Sequence, residues 1–523
     1  MRTLSTLATA LVILLAPPLN AQTLHSTIAN PDSALLTILA GLEGTPLSLG
    51  DAVHDALRNA TSVLSAEAVS RSAAGAARRE AGAFDPEFFF SFNRLYQDQP
   101  TASFFSGASV LTTTQNSGTG GVRMTLPIGT SIQASLSSLS LESNSAFANL
   151  NPQYTTLGSL SLRQPLLGGF SATASKNAAK ADRDAEAALA RYDQEMLSIV
   201  TRVEQLYWDL YAAERDYAVQ KLTRDRAQAF LRDTETRAKS GLIGPNQVAN
   251  ARTFLAEQEI LLLDREEQFD RLSDGLSSTI GRRPDAGSTR LLTVDAPPEE
   301  FPPATIDALV GEAEAKNLEL KGARADIEAH RALARASAWE TLPKLDVLAS
   351  LGGNGLAGTP QDVIFGGDTL RTTRGGTMGD AITQVMKHRF PVWSVGVELT
   401  VPILYRKGLG EEERLDAEVV IAEQRLIQLS RLLEEEVRSS YRELVNGKRR
   451  LLAAKEGVAA AQEQVRIGLI EFDNGRSTAF ELVRLGADFA VAQQRYSQAL
   501  VRSAKAAANL RQLTSGAYAV PEK

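Results

Sequence analysis

The chain has 523 residues and a formal net charge of −7, with 55 basic and 62 acidic side chains interspersed along it. It therefore lacks the basic stripe that a nucleic-acid-binding protein presents. The absence of cysteine excludes a disulfide framework, thiol catalysis, Cys-ligated zinc and a lipidated cysteine. The histidines are scattered without metal-ligand spacing, so we expect no metal and no cofactor. They are His25, His54, His330 and His388.

The N-terminus has the pattern of a secretory signal peptide. Arg2 is followed by the apolar run 7–16, two prolines and the small-residue stretch 19–21, which together predict cleavage after Ala21. The apolar run is about ten residues long, well short of the ~20 that a membrane-spanning helix needs. Since no comparable run follows, we expect a mature chain that meets a membrane to do so through strands.

The mature chain contains two copies of one unit. Residues 203–210 align with residues 437–444 at an offset of 234 (437 − 203), and the same offset pairs Gly241 with Gly475. The motif at 162–167 recurs 237 residues later, so a small insertion or deletion separates the two registers. Each copy reads as a helix, two strands, a very long helix, a glycine turn and a long returning helix. A repeat of this kind determines the architecture.

The predicted organisation follows from these copies and from the prolines between them, because proline lacks an amide donor and interrupts regular structure. The predicted segments are a signal peptide at 1–21, an N-terminal segment at 22–46, the first repeat at 47–281, a Pro-rich linker at 282–303, the second repeat at 304–516 and a C-terminal tail at 517–523.

Long amphipathic helices are the clearest local pattern. Between Ala181 and Tyr217, apolar or small residues recur about every 3.6 residues, the period of an almost straight helix. A helix over 171–239 would extend about 100 Å at 1.5 Å per residue. The segment after Gly241 repeats the stripe, so we expect an antiparallel helical hairpin in each copy. Helix periodicity alone leaves an isolated coiled-coil stalk as an alternative.

The strands argue against a stalk. In the segment 393–401, Trp393, Val395, Val397 and Leu399 alternate with polar or small residues, as in a barrel wall with lipid outside and water inside. Comparable alternation marks strands at 87–93, at 344–351 and around Leu160 and Leu162. A soluble packing of two sheets is the alternative interpretation of the same alternation.

Two strands per copy predict four strands per chain. Four strands cannot close a barrel with a lumen, and an open sheet edge cannot face hydrocarbon because its amides would be unpaired. Several copies of the chain are therefore expected to share one barrel.

The first copy has a long segment, 95–154, between its two strands. Residues 122–128 and 132–136 within it alternate like an extra hairpin. We interpret the segment as an elaborated outer loop; the alternative is that it adds strands to the wall and enlarges the barrel.

One glycine pattern resembles an enzyme motif. Residues 353–358, Gly-Asn-Gly-Leu-Ala-Gly, match the dinucleotide-binding spacing, but that motif requires a helix to begin there. Thr359 and Pro360 follow instead, so we expect a loop. With no nucleophile elbow, phosphate loop or paired acids, the sequence predicts no enzyme.

The order and duplication of these elements resemble the TolC-like outer membrane efflux protein family across nearly the whole mature chain. The resemblance rests on the opening 47–53 with Asn59, the strand-to-helix junction 162–169, and the turns 240–242 and 474–476. It implies an α+β membrane protein of the Gram-negative outer membrane, with a shared trimeric β-barrel, four strands from each chain and twelve in all. Long α-helical hairpins would continue the barrel into the periplasm, where the N-terminal segment 22–46 would also lie. The implied partners are two further copies, outer-membrane lipid, a periplasmic adaptor protein and an inner-membrane pump.

The family also implies an acidic ring at the periplasmic constriction. Glu481 falls where an acidic gate residue is expected, Arg484 falls at the next ring position, and Gln247 is the counterpart of Glu481 in the first copy. The family's bridging Tyr and Arg are replaced by Phe472 and Ser477, so its usual locking bonds do not carry over.

The hairpin tips are the candidate adaptor contacts, although these residues could equally serve the turn alone. They are Gly241, Leu242, Gly475 and Arg476. The function expected from the resemblance is that of an exit duct in a tripartite efflux or type I secretion system. The alternative from the residues is a structural or adhesive coiled-coil stalk without transport.

Overall fold

The computed structural model of the protein describes residues 33–283, 289–302, 304–474, 476–516 and 518. The predicted signal peptide at 1–21 lies outside these residues, as do much of the segment 22–46 and nearly all of the tail 517–523.

Within the described residues the chain forms ten α-helices and ten β-strands. The helices are α1 Ser33–Ala40, α2 Leu49–Asn59, α3 Thr61–Ala81, α4 Ala172–Lys239, α5 Pro245–Thr279, α6 Ile306–Lys316, α7 Leu318–Glu340, α8 Met378–Met386, α9 Arg406–Asp473 and α10 Ala479–Leu513. The strands are β1 Thr45–Leu47, β2 Glu87–Pro100, β3 Val110–Thr125, β4 Ser131–Ser143, β5 Leu150–Pro165, β6 Leu291–Thr293, β7 Lys344–Pro360, β8 Val363–Phe365, β9 Asp368–Leu370 and β10 Pro391–Thr400. No helix in the described part of the chain combines the length and apolar composition that a bilayer crossing requires.

The internal duplication is confirmed by the long helices. The long helices α4 and α9 each have 68 residues, and the returning helices α5 and α10 each have 35. Two positions paired by the offset of 234, Val203 and Val437, are both fully buried. Leu276 and Leu510, another such pair, are also fully buried. At these positions the apolar stripe is therefore buried alike in both copies.

Contacts divide the chain into two compact units. Among the described residues, the helical unit comprises those within 33–65, 194–317 and 432–518, and the sheet unit comprises residues 66–193 and 318–431. In the helical unit a short parallel strand pair, β1 with β6, joins segments that are far apart in the sequence. The sequence did not predict this pair, because three residues are too few for a periodic pattern.

The sheet unit contains a six-stranded antiparallel sheet with the order β10-β7-β5-β4-β3-β2. The prediction of four strands per chain is therefore wrong. The segment 95–154 is not an outer loop: it supplies β3, β4 and the ends of β2 and β5 to the wall. The hairpin-like alternation at 122–128 and 132–136 marked part of these strands, and the alternative of added wall strands is the correct one. Serine, threonine and glycine occupy much of both faces of β3 and β4, which weakens the apolar alternation.

The glycine pattern at 353–358 lies inside β7, so the expectation of a loop there is also wrong. Helix α8 packs against this part of the strand. A Cβ atom at Gly355 would collide with the Ala381 carbonyl oxygen, and one at Gly353 would lie 3.4 Å from the Val385 carbonyl oxygen. The glycines therefore allow a helix to approach the sheet closely.

Small residues and ion pairs hold the helices of the sheet unit together. A Cβ atom at Gly322 on α7 would lie 3.8 Å from the Ala190 side chain on α4, in ordinary van der Waals contact. Ala187 and Ala190 are both buried. Arg331 on α7 donates to Glu423 on α9 at 2.6 Å. Alanine and glycine thus permit close packing, while charged pairs fix the helices at their exposed faces.

Candidate channel surfaces

One face of the six-stranded sheet carries large apolar side chains and is exposed outside the part that α8 covers at Gly158, Gly353 and Gly355. On β2, Phe88 and Phe90 are 76% and 68% exposed, and on β10, Trp393 and Val397 are 73% and 68% exposed. A soluble monomer rarely leaves a continuous aromatic and aliphatic surface of this kind uncovered. The arrangement matches the lipid-facing band of an outer-membrane barrel.

The opposite face is polar and hydrogen-bonded from strand to strand. Ser135 and Ser159 hydroxyls lie 3.0 Å apart across β4 and β5, and Ser350 and Ser394 hydroxyls lie 2.7 Å apart across β7 and β10. Two ion pairs lie on the same face: Arg123 donates to Glu87 at 2.7 Å, and Arg163 donates through two nitrogens to Asp346. The predicted alternation of an apolar face with a polar face is therefore confirmed.

The first hairpin turn reverses the chain between α4 and α5. Gly241 has a φ of +73°, and the surroundings of its Cβ position are open. The Gly241 N–H donates to the Ala238 carbonyl oxygen at 3.0 Å, and the Leu242 N–H donates to the Arg237 carbonyl oxygen at 3.0 Å. These two bonds form a Schellman motif, which favours glycine at this position. Leu242 is 75% exposed.

The second hairpin turn, between α9 and α10, repeats one of these bonds. The Arg476 N–H donates to the Glu471 carbonyl oxygen at 2.8 Å, with the same spacing as in the first turn. Arg476 is exposed, and Gly475 lies outside the described residues. Both turns therefore present one exposed side chain directly after the glycine position.

Glu481 has a clear local role at the start of α10. Its carboxylate accepts hydrogen bonds from the Ser477 hydroxyl at 3.0 Å and the Thr478 N–H at 3.2 Å, while its own N–H donates to the Thr478 hydroxyl at 3.2 Å. This is a capping box. These bonds hold the pKa of Glu481 below its usual range, and the charge of exposed Arg484 contributes least to that shift.

Gln247 occupies the matching position in the first copy, the third residue of α5, and is exposed. The helix there begins with Gly244 and Pro245, without a side-chain cap. Glu481 and Arg484 thus lie one turn apart on α10, and Gln247 belongs to the other hairpin.

Polar pairs between the two copies were not predicted. In the helical unit, Lys505 on α10 donates to Asp209 on α4 at 2.7 Å. Six residues further along α10 and five residues back along α4, Arg511 pairs with Glu204. Burial raises the pKa of Glu204, and the charge of Arg511 opposes this shift. A single sequence gives no signal for which acid meets which base, because both residues resemble any charged helix position.

A cavity of about 620 Å³ lies among α4, α5, α9 and α10 of the helical unit. Asp209, Asp216 and Lys505 are among its lining residues. Asp216 is buried, and one of its carboxylate oxygens has no hydrogen-bond partner within the described chain. Burial raises its pKa to about 6, and Arg265 opposes the shift.

Comparisons with known proteins agree with this architecture. The sequence profile described as "Outer membrane efflux protein" matches residues 52–282 and 309–516. No curated protein matches the sequence. Among solved structures, the outer-membrane channel OprN is 15% identical with a TM-score of 0.62, covering 90% of each chain. Campylobacter jejuni CmeC, an outer membrane channel, is 13% identical with a TM-score of 0.63 over 91% of this chain and 87% of its own. The outer membrane protein VceC from Vibrio cholerae is 14% identical with a TM-score of 0.61 over 90% of this chain and 97% of its own.

Proposed function

Because the chain belongs to the outer membrane efflux protein family, we propose that three copies form a passive exit duct through the outer membrane. Cargo enters from an inner-membrane pump through a periplasmic adaptor, and the helical hairpins extend into the periplasm to meet them. The single observation that carries the proposal is the two-faced sheet, with an exposed apolar face for lipid and a polar face for a water-filled lumen.

The edges of the sheet support the assembly of several copies into one barrel. The edge strands β2 and β10 have exposed residues along almost their whole length. An open edge cannot stay in hydrocarbon, because its backbone amides would lack partners. Copies of the chain that pair edge to edge would satisfy those amides.

Planar-bilayer recording tests the proposal directly. Purified protein should give discrete channel events, and its native mass in detergent should correspond to three chains. A structural or adhesive stalk, which is the alternative function, would give no channel events. Monomers without conductance would overturn the proposal.

A further inference from the structure

We propose that each copy contributes six strands to the shared barrel, that β10 of one copy pairs with β2 of the next, and that a trimer therefore encloses an eighteen-stranded lumen. This inference rests on the proposed function. It concerns the width of the duct at the membrane and the contact that closes it, and the partner is a second copy of this chain.

The first step is the direction of the strands. Neighbouring strands in the sheet are all antiparallel. With six strands in alternating directions, β2 and β10 run in opposite directions, so β10 of one copy meets β2 of the next as an antiparallel pair. The two additional strands preserve this relationship, whereas a single additional strand would have made the junction parallel.

The second step concerns the edge of the sheet at β7 and β10, and which part of it is free to pair with a second copy. Beyond Gly353, β7 extends past the end of β10, and the chain covers that part of its edge itself. The Gln384 side chain of α8 accepts from the Leu356 N–H and donates to the Leu356 carbonyl oxygen, both at 3.1 Å. The Asn354 N–H donates to the Phe390 carbonyl oxygen at 2.9 Å. The long edge left for a second copy on this side is therefore that of β10.

The third step concerns the apolar band, the row of exposed apolar side chains that crosses the sheet from Phe88 and Phe90 on β2 to Trp393 and Val397 on β10. The ladder places Phe90 on β2 level with Pro391 on β10. The intervening partners are Gly120, Leu136, Gly158 and Gly353. The apolar residues of β2 centre on Phe90, but those of β10, from Trp393 to Leu399, centre on residue 396. The band thus shifts by five residues (396 − 391) over the five steps between the six strands.

A shift of about one residue per strand corresponds to a strand tilt of about 35°, from roughly 3.4 Å per residue and 4.8 Å between strands. Outer-membrane barrels have tilts of about 35–45°. The sheet of one copy therefore already has the stagger that barrel closure requires.

The same shift gives the register of the junction. If the band moves by one residue at the step from β10 to β2 of the next copy, Val397 lies opposite Phe90 and Leu399 lies opposite Phe88. These pairs put the apolar faces of both copies on the same side. A register displaced by one residue would turn the phenylalanines of β2 into the lumen.

The lumen should be correspondingly wide. Barrel diameter grows roughly in proportion to strand number, so eighteen strands give a diameter about 1.5-fold that of twelve. The added hairpin, β3 with β4, accounts for the difference. We therefore expect the outer end of the duct to admit larger molecules than a four-strand version of the same chain.

Cysteine cross-linking tests the junction, and the natural chain offers a background without cysteine. The double variant Phe90→Cys with Val397→Cys should form covalent trimers on oxidation. The matched control, Phe89→Cys with Val397→Cys, places the thiols on opposite faces and should remain monomeric on a denaturing gel. A disulfide formed within single chains would overturn the proposed junction. Equal cross-linking of the test variant and the control variant would overturn it as well.

A deletion tests the width. Pro100 and Leu150 lie at the same end of the sheet, so replacing residues 101–149 with Asn-Gly removes β3 and β4 and joins β2 to β5 by a two-residue turn. Direct pairing of Pro100 with Leu150 would place Phe90 opposite Leu160, which keeps the apolar faces together. Poly(ethylene glycol) added from the extracellular side should enter the full-length channel up to a radius about 1.5-fold larger than in the variant.

The outcomes separate this inference from the proposed function. Conducting trimers with the same polymer cut-off in both forms would overturn the wide lumen while leaving the exit duct intact. Full-length protein that neither trimerises nor conducts would overturn the proposed function itself. If the deletion variant does not fold, the cross-linking pair still decides the six-strand junction in the full-length chain.

Discussion

Tyr207 on α4 and Asp295 after β6 meet in the helical unit, with the tyrosine hydroxyl 3.2 Å from a carboxylate oxygen. The hydroxyl donates to the Leu47 carbonyl oxygen at 2.9 Å and accepts from the N–H groups of Val294 and Asp295, each at 3.0 Å. Asp295 in turn accepts from the N–H of Leu49, the first residue of α2, at 2.7 Å. One buried tyrosine thus joins a long helix, the β1–β6 pair and the start of α2.

Removing this hydroxyl should destabilise the protein. Burial raises the pKa of Tyr207, so the hydroxyl stays protonated and continues to donate at neutral pH. Tyr207→Phe leaves the surrounding backbone groups without this partner, which should cost about 1–3 kcal/mol of unfolding free energy. Thermal unfolding in detergent measures the loss. Tyr441→Phe, at the matching and only half-buried position of the second copy, is the control; equal losses would contradict a special role for Tyr207.

Asp216 should make stability depend on pH. Its folded-state pKa of about 6 lies above the ordinary value of 3.8, so the folded state favours the protonated acid. Stability should therefore fall as pH rises from about 4 to about 6. Asp216→Asn should be more stable than the natural protein at pH 8, by roughly 2–3 kcal/mol, and the difference should vanish near pH 4. Melting temperatures at both pH values test this.

Asp209→Asn provides the contrasting control in the same cavity. It removes the charged partner of Lys505, so it should not stabilise the protein at pH 8. The melting temperatures of Asp216→Asn and of the natural protein could also differ by the same amount at pH 4 and at pH 8. That result would show that the buried carboxylate finds compensation elsewhere.

The sequence predicted the elements whose two faces differ most. The stripe through Val203 packs into a core, and the alternation from Trp393 to Leu399 separates lipid from water, so both leave periodic patterns. Strands β3 and β4 leave only a partial pattern, at 122–128 and 132–136, because neither face needs large apolar residues throughout: Gly118 and Gly120 face the same side as Phe92 and Phe90. The pairs that join distant segments, such as Tyr207 with Asp295, depend on the tertiary fold and have no local signature.

The first hairpin tip offers a test of adaptor docking. Leu242 is exposed, so a charged residue there costs the fold little. Leu242→Asp should abolish export, measured as growth in the presence of an exported toxic compound, while trimer abundance stays unchanged. Asn250→Asp adds the same charge on exposed surface further along α5 and should leave export intact. Normal export by the Leu242 variant would confine this residue to the turn. Arg476→Asp applies the same test to the second tip.

Glu481 can be tested as a gate residue separately from its role as a helix cap. Three copies of the carboxylate, converging around a narrow axis, would form an acidic ring that favours cations. Since its hydrogen bonds lower the pKa of Glu481, this ring would stay charged at neutral pH. Glutamine can also complete a capping box. Glu481→Gln should therefore keep the helix start but lower cation selectivity and block by multivalent cations in single-channel recordings.

Substitutions of Arg484 and Gln247 should change cation selectivity in the opposite direction, raising it. Arg484→Ala removes a positive charge one turn from Glu481 and should strengthen cation selectivity, and Gln247→Glu should do the same by adding an acid at the matching position of the first copy. Neither change touches the capping bonds between Glu481 and Thr478. If Glu481→Gln leaves selectivity unchanged and only Glu481→Ala alters the channel, the carboxylate serves the helix start alone. Because a ring depends on charge and a cap depends on hydrogen bonding, the glutamine variant decides between the two roles.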